Sequence, residues 1–426
     1  MEIYPFVYGR SLKPKEFFNR SGELRRILGR LVTGQSTALI GQPHIGKTSF
    51  FNYLMNNESR QNIVGNELDH SIFSYIDSQM LGSNFNQPAF WKQVLIPLTK
   101  QFASGKIYET YKTAENNQFG NFTLEQIFTL LGQEGWQFIL LLDEFDALLN
   151  HPILNSTEFY GGLRSFASRS PGFALVIASR RSLNILNQET QKINPHGSPY
   201  FNVFTEFRLG PLPKEHTKTL LDQAKGILGK NDREFILKVS GRHPYLLQAA
   251  AAILWEIASQ GKHGTDRYKT ASDEMYRQTN AHFADTWKSW STAERKAITA
   301  IALAQIPDLV DKHKFSWTKL IENITDYSAE LRRLKDAGTI IESGEDNWHI
   351  TQQAFLWWLA DEIKRITRDE SSRDESGFEA WICEQEMDGL LTKQERKNMS
   401  QAVSEIATKG ATTLIESFAK GFGTGI

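Results

Sequence analysis

The stretch GQPHIGKTSF, Gly41 to Phe50, decides how the rest of the chain is read. It follows the apolar run Ser36-Thr-Ala-Leu-Ile40 and precedes a helix-patterned segment, so a strand is expected to end in a glycine loop that opens a helix. Gly41-x-x-x-x-Gly46-Lys47-Thr48 fits the phosphate-loop spacing at every defined position. The glycines let successive backbone N–H groups turn toward a phosphate, and the following helix adds the positive end of its dipole. Gly41, Gln42, Pro43, His44, Ile45, Gly46, Lys47, Thr48 and Ser49 are therefore the candidate nucleotide loop. In it Lys47 would bridge the terminal phosphates, and Thr48 would ligate magnesium.

A loop of this kind needs an acid at the end of a neighbouring strand. FILLLDEFDAL supplies it, because five apolar residues run straight into Asp143 and Glu144. Asp143 is expected in the magnesium shell, and Glu144 as the general base that polarises the attacking water. A third strand, FALVIASRR, ends in Ser179, Arg180 and Arg181. An arginine at such a tip can sense a γ-phosphate and stabilise charge in phosphoryl transfer; Arg180 is preferred to Arg181, against the plainer reading of a surface pair.

Composition sets the outer limits. At 426 residues the chain suits two or three domains, and 40% hydrophobic with 23% charged residues describes a folded globular protein. Lys and Arg number 48 against 49 acids, so no global field draws the chain to nucleic acid or an anionic membrane. The single cysteine, Cys383, excludes an internal disulfide framework and a Cys-based zinc site. No run approaches the length of a membrane span, and MEIYPFVYGR has no signal-peptide pattern, so a cytoplasmic protein is expected. There is no HExxH motif, and Asp388-Gly389 with Glu384, Glu386 and Glu395 does not have EF-hand spacing.

Along the chain, Leu24, Ile27, Leu28 and Leu31 mark a first helix. Apolar runs at 37–40, 71–76, 138–142 and 173–178 alternate with helical patterns, as a parallel sheet covered on both faces requires. After about residue 208 the strands stop, and helices are expected at 213–227, 231–239, 243–260 and 268–290, with Pro244 just inside the third. Ser291 and Glu294 have capping-box spacing. SWTKLIENI and YSAELRRLKDAGTIIESGEDNWHITQQAFLWWLADEI then follow the winged-helix order of helix, helix, strand, strand, helix. The charged run 368–377 is expected to be a linker.

FFNRSGELRRI, GQPHIGKTS, LLLDEFD, ASRR and SGRHPYLLQ, followed by a winged helix, together resemble the STAND and origin-recognition-like branch of the AAA+ ATPases, and most of all the bacterial AAA-like ATPases of conflict and defence systems. The resemblance spans about residues 5–365. It implies an α/β P-loop NTPase core over 1–210, a helical lid over 211–285 and a winged-helix domain over 286–367. The linker 368–377 and a small helical region, 378–426, complete the expected order. It further implies ATP or ADP with Mg2+, slow regulatory turnover, and a switch in which ATP exchange lets protomers assemble into a homo-oligomer. Phe18, Asn19 and Arg20 match the segment over the adenine, where the family usually has glycine at the Asn19 position. Arg180 matches the sensor position. Arg242, His243 and Pro244 match the Gly-His-Pro turn of the lid; Arg242 replaces the usual glycine, and either phosphate contact or capping of the lid helix is open to it.

The remaining segments bear on partners. Arg332, Arg333 and Lys335 of the recognition-helix position could reach DNA, but Glu330, Asp336 and the acidic wing ESGEDN oppose phosphate contact, so intramolecular packing is preferred. Trp287, Trp290, Trp317, Trp348, Trp357 and Trp358 are expected in the core rather than stacked on bases. At the C-terminus Ile406, Ala407, Ala411, Leu414, Ile415, Phe418 and Phe422 form one helical stripe. It is open to packing within the chain, to docking of itself or a protein partner through 378–426, or to a membrane-active role. The leading expectation is an ATP-dependent oligomerising switch in bacterial signalling or antiphage defence. A DNA-loading or transposition-type ATPase and a non-hydrolysing scaffold are its rivals.

Overall fold

The computed structural model of the chain describes residues 5–17, 20–224, 226–261, 264–303, 305, 326–344, 348–369 and 411–422. The chain divides into two compact units: Ser11–Gln42 with Gly46–Leu209, and Met1–Arg10 with Pro43–Ile45 and Gly210–Ile426.

The first unit runs α1 (Ser21–Val32), β1 (Thr37–Ile40), α2 (Lys47–Met55), α3 (Asn57–Val64), β2 (Ser71–Asp77), α4 (Gln87–Val94), α5 (Ile96–Gln101), α6 (Lys106–Asn116) and α7 (Asn121–Gln133). It continues with β3 (Gln137–Asp143), α8 (Thr157–Arg169), β4 (Phe173–Ser179), α9 (Leu183–Gln191) and β5 (Thr205–Arg208). The strands form one parallel sheet in the order β2-β3-β4-β1-β5. Every residue of β1 and β4 is buried, as are six of the seven in β3, which is why these strands are uninterrupted apolar runs. The four α1 residues picked out by spacing, Leu24, Ile27, Leu28 and Leu31, are all buried. The edge strand β5, Thr-Glu-Phe-Arg, has no buried residue and no apolar run, so no pattern marks it as a strand.

Register places the chemistry at one end of this sheet. Ile40 pairs with Ser179 and Asp77 with Asp143, so the loop after β1, the acids closing β3 and the arginines after β4 leave from the same edge. The carboxyl ends of parallel strands are where α/β sheets bind ligands.

The second unit holds α10 (Lys214–Leu221), α11 (Lys230–Ser240), α12 (Pro244–Ser259), α13 (Thr265–Ser289) and α14 (Thr292–Leu303). After these come α15 (Ser328–Asp336), β6 (Ile340–Glu342), β7 (Trp348–Ile350) and α16 (Gln353–Asp369). Pro244 occupies the first turn of α12, a helix buried nearly all round. The capping box that starts α14 is formed: Ser291 N–H donates to Glu294 Oε2 at 2.8 Å, and Glu294 N–H to Ser291 Oγ at 3.2 Å. The antiparallel β6–β7 hairpin between α15 and α16 is the wing of a winged-helix module. Helix α16 continues through Asp369 and so takes up the first two residues of the expected linker, the rest of which lies outside the described residues. Trp290, Trp348, Trp357 and Trp358 are buried in this core and Trp287 packs against it; Trp317 lies outside the described residues.

A helix at 411–422 closes the described chain. Ala411, Ile415 and Ala419 are buried. Phe418 lies 5.6 Å from Phe235 of α11 and 5.5 Å from Trp357 of α16, and Phe422 lies 5.6 Å from Tyr268 of α13. Among the three readings of the C-terminal stripe, packing within the chain is the one seen for residues 411–422. Ile406 and Ala407 are outside the described residues.

Candidate nucleotide site

The phosphate loop leaves β1 with Gly41 N–H donating to Ser179 O at 3.0 Å, and Gly46 caps α2 at φ 102°. No side chain but hydrogen takes that φ without strain, which is the local reason for the second glycine of the motif. Lys47 is buried, and its ammonium donates to Gly41 O at 3.0 Å and Gln42 O at 3.2 Å. Burial pulls its pKa down, while the carboxylates of Glu144, Asp146 and Asp143 push it back up. Ser49, from the first turn of α2, accepts Leu12 N–H on Oγ at 2.9 Å and so ties the N-terminal segment to the loop.

Asp143, only 1% exposed, is held on both oxygens: Glu144 N–H donates to Oδ1 at 2.9 Å and the Tyr75 hydroxyl to Oδ2 at 3.2 Å. Thr48 also donates to this carboxylate, and burial, as the largest effect, raises its pKa. A hydroxyl and a carboxylate brought together beside Lys47 are the hard oxygen donors that Mg2+ takes, so these residues fit the ion.

Glu144 sits at φ 46°, in the left-handed region, and turns its carboxylate toward β4. Its Oε2 accepts Arg180 Nε at 3.2 Å and Nη2 at 3.0 Å, with Gln79 Nε2 at 3.4 Å. Arg181 goes elsewhere, its Nε lying 3.8 Å from Asp146 Oδ1. The two arginines are thereby told apart, and Arg180 is the one joined to the acid at the end of β3. The strand-end acids, the loop lysine and one arginine can thus hold phosphate, position a cation and polarise a water.

Arg20, 2% exposed, precedes α1 and pairs with Glu23 at 3.3 Å. Phe18 and Asn19 lie outside the described residues. Pro43, His44 and Ile45 group with the second unit, as do Arg242, His243 and Pro244. There His44, at φ 58°, has its ring 5.0 Å from Tyr245 and 5.6 Å from His282, and His243 lies 5.0 Å from His282. Arg242 donates from Nη1 to Leu212 O at 3.0 Å, while its own carbonyl accepts Leu212 N–H at 3.0 Å. With Gly241 at φ 57° and Arg242 at φ 63°, the turn that ends α11 is left-handed at two residues in succession. Arg242 therefore fastens the turn before α12.

On the winged helix, Arg333 pairs with Glu294 at 2.9 Å and Glu330 at 2.6 Å, and Lys335 with Glu342 at 2.6 Å. Arg332 is exposed. Sequence reading missed Tyr75, Gln79 and Asp146. Each acts across 33 residues or more, and no spacing rule reaches that far.

No protein-family model and no curated protein matches the chain. Solved structures do. A Walker-type ATPase of Pyrococcus abyssi superposes with TM-score 0.52 at 16% identity, over 82% of this chain and 97% of that one. The ORC2 protein of Aeropyrum pernix gives 0.44 at 15% identity over 85% and 97%, and Cdc6p from Pyrobaculum aerophilum gives 0.38 at 15% over 84% and 96%. At these identities the first likeness speaks to architecture alone. The chain shares its fold with that Walker-type ATPase: a parallel phosphate-loop sheet followed by a helical region with a winged-helix module.

Proposed function

We propose that the protein binds and hydrolyses ATP as a regulated switch. The observation that carries this reading is the cluster Lys47, Thr48, Asp143, Glu144 and Arg180 at one end of the sheet, with Glu144 paired to Arg180 at 3.0 Å. Lys47 takes the terminal phosphates. Thr48 and Asp143 would hold a magnesium ion, which would supply charge neutralisation at the phosphates. Glu144 accepts a proton from the attacking water, and Arg180 senses the γ-phosphate. Both Arg180 donors occupy Glu144 Oε2, the oxygen a water would need, so Arg180 must leave Glu144 before turnover. That requirement makes ATP occupancy and catalytic competence one event and suits slow, regulatory hydrolysis.

The family resemblance supports coupling of this event to homo-oligomer assembly in bacterial signalling or antiphage defence, with residues 378–426 or a partner as the output. Glu144→Gln is expected to keep ATP affinity within about threefold and lower turnover at least ~100-fold. Loss of binding in that variant, or an unchanged rate, overturns the assignment. Particle size measured with ADP and with a non-hydrolysable ATP analogue tests the switch, and equal sizes count against it.

A second reading, a DNA-engaging loader, draws support from the winged-helix module and its exposed Arg332. Arg333 and Lys335 are already neutralised by Glu294, Glu330 and Glu342, which leaves little cationic surface there for phosphates. Salt-dependent duplex binding that is lost in Arg332→Ala would favour this reading over the first.

A further inference from the structure

Asp146 is an acid at the site that the proposed chemistry does not use. It lies in the turn after β3, three residues beyond Asp143, and its carboxylate reaches the tip of β4. Oδ2 accepts Arg180 N–H at 2.8 Å, and Oδ1 lies 3.0 Å from Ser179 Oγ and 3.8 Å from Arg181 Nε. Ser179 is wholly buried, and its Oγ accepts Arg181 N–H at 2.9 Å. The Ser179 carbonyl accepts the first N–H of the phosphate loop. One carboxylate thus holds the Arg180 backbone and the Ser179 hydroxyl that in turn holds the Arg181 backbone, at the place where β4 meets the loop.

The consequence lies at the side chain. Arg180 sends Nε and Nη2 to Glu144, two residues before Asp146, so Glu144–Phe145–Asp146 and Ser179–Arg180 close a ring through one backbone and one side-chain contact. We infer that Asp146 is a positioning residue: it holds the Arg180 main chain still, so that the guanidinium turns between Glu144 and phosphate about a fixed pivot. This rests on the ATPase reading of the same site. A half-buried arginine on an untethered strand tip would sample several rotamers, and a group displaced by about 1 Å loses much of its catalytic value.

The test uses the full chain with Asp146→Ala, Asp146→Asn, Arg180→Ala and the double variant Asp146→Ala/Arg180→Ala. Asp146→Ala is expected to lower kcat by about tenfold or more with KM within about threefold, because positioning rather than binding is lost. Asn keeps an acceptor for Arg180 N–H, so Asp146→Asn should recover to within about threefold of the parent. The double variant should be no more than about twofold slower than Arg180→Ala alone, since both changes remove one function. Additive losses, or an Asn variant as slow as the Ala variant, overturn the proposal.

Amide hydrogen exchange at residues 179–181 supplies a readout that needs no turnover. Arg180 N–H should exchange at least about tenfold faster in Asp146→Ala than in the parent or Asp146→Asn; unchanged exchange overturns the tether. A parent without ATP hydrolysis would defeat the ATPase reading alone, and exchange would still decide the positioning. If Asp146→Ala does not fold, Asp146→Glu replaces it. Glu keeps the charge but carries the carboxylate past Arg180 N–H, and the same slowing is expected.

Discussion

Three residues singled out from the sequence, His44, Glu144 and Arg242, have a left-handed backbone although none is glycine. Such conformations cost on the order of 1–3 kcal/mol and persist only where surroundings impose them. At Glu144 the imposed turn aims a carboxylate. At Arg242 it closes the end of α11 at a φ of 63°, a conformation that glycine adopts without strain. Arg242→Gly is expected to change unfolding free energy by no more than about 1 kcal/mol, because relief of strain offsets loss of the Leu212 hydrogen bond. Arg242→Val, β-branched in the same conformation, should cost about 2 kcal/mol or more in denaturant unfolding. Lys47→Ala should weaken ADP binding by about 10- to 100-fold by titration calorimetry, the worth of one charged hydrogen-bond donor on phosphate. The motif residues were legible because their chemistry is encoded in short spacing: Gly41 to Thr48, and an apolar strand running into Asp143 and Glu144. Tyr75, Gln79 and Asp146 were not, since their roles arise only when β2, β3 and β4 lie side by side.

Elements were legible in proportion to their burial. β1, β3 and β4 are covered on both faces and read as apolar runs, whereas β5 is an edge strand and was missed. Helix α13 carries a second kind of hidden information. It holds His282 at 4% exposure beside His44, His243 and Tyr245, and its Nδ1 has no hydrogen-bond partner among the described residues. Burial first, and the neighbouring His44 second, push its pKa down from 6.5 to about 3. A histidine that folds neutral binds fewer protons folded than unfolded between those two values. Its contribution is therefore complete above about pH 6.5 and is lost progressively as pH falls toward 3. Denaturant midpoints measured from pH 7 down to 4.5 should fall more steeply for the parent than for His282→Gln, by an amount on the order of 1–3 kcal/mol at the acid end. Parallel curves would show that His282 does not titrate with unfolding.

At the scale of the whole molecule, the question is whether the C-terminal helix serves stability or assembly. Helix 411–422 is set on the second unit by Phe418, Phe422 and three buried small or branched residues, with Lys269–Glu416 at 2.7 Å and Ala411 N–H donating to Asp361 Oδ1 at 2.9 Å. The exposed ion pair adds little, so the aromatic contacts supply most of the hold. Phe418→Ala is expected to cost about 1–3 kcal/mol in unfolding, and Phe418→Leu less than about 1.5 kcal/mol, because volume is largely kept. A chain ending at residue 410 should lose several degrees of thermal midpoint, having exposed Phe235, Tyr268 and Trp357. Assembly makes the opposite demand. A docking segment must leave its seat to meet a partner, so Phe418→Ala would promote ATP-analogue-dependent assembly while lowering monomer stability. A purely structural helix would give lower stability and no change in particle size. Measuring both quantities on the same variant separates the two, since only a released helix moves them in opposite directions.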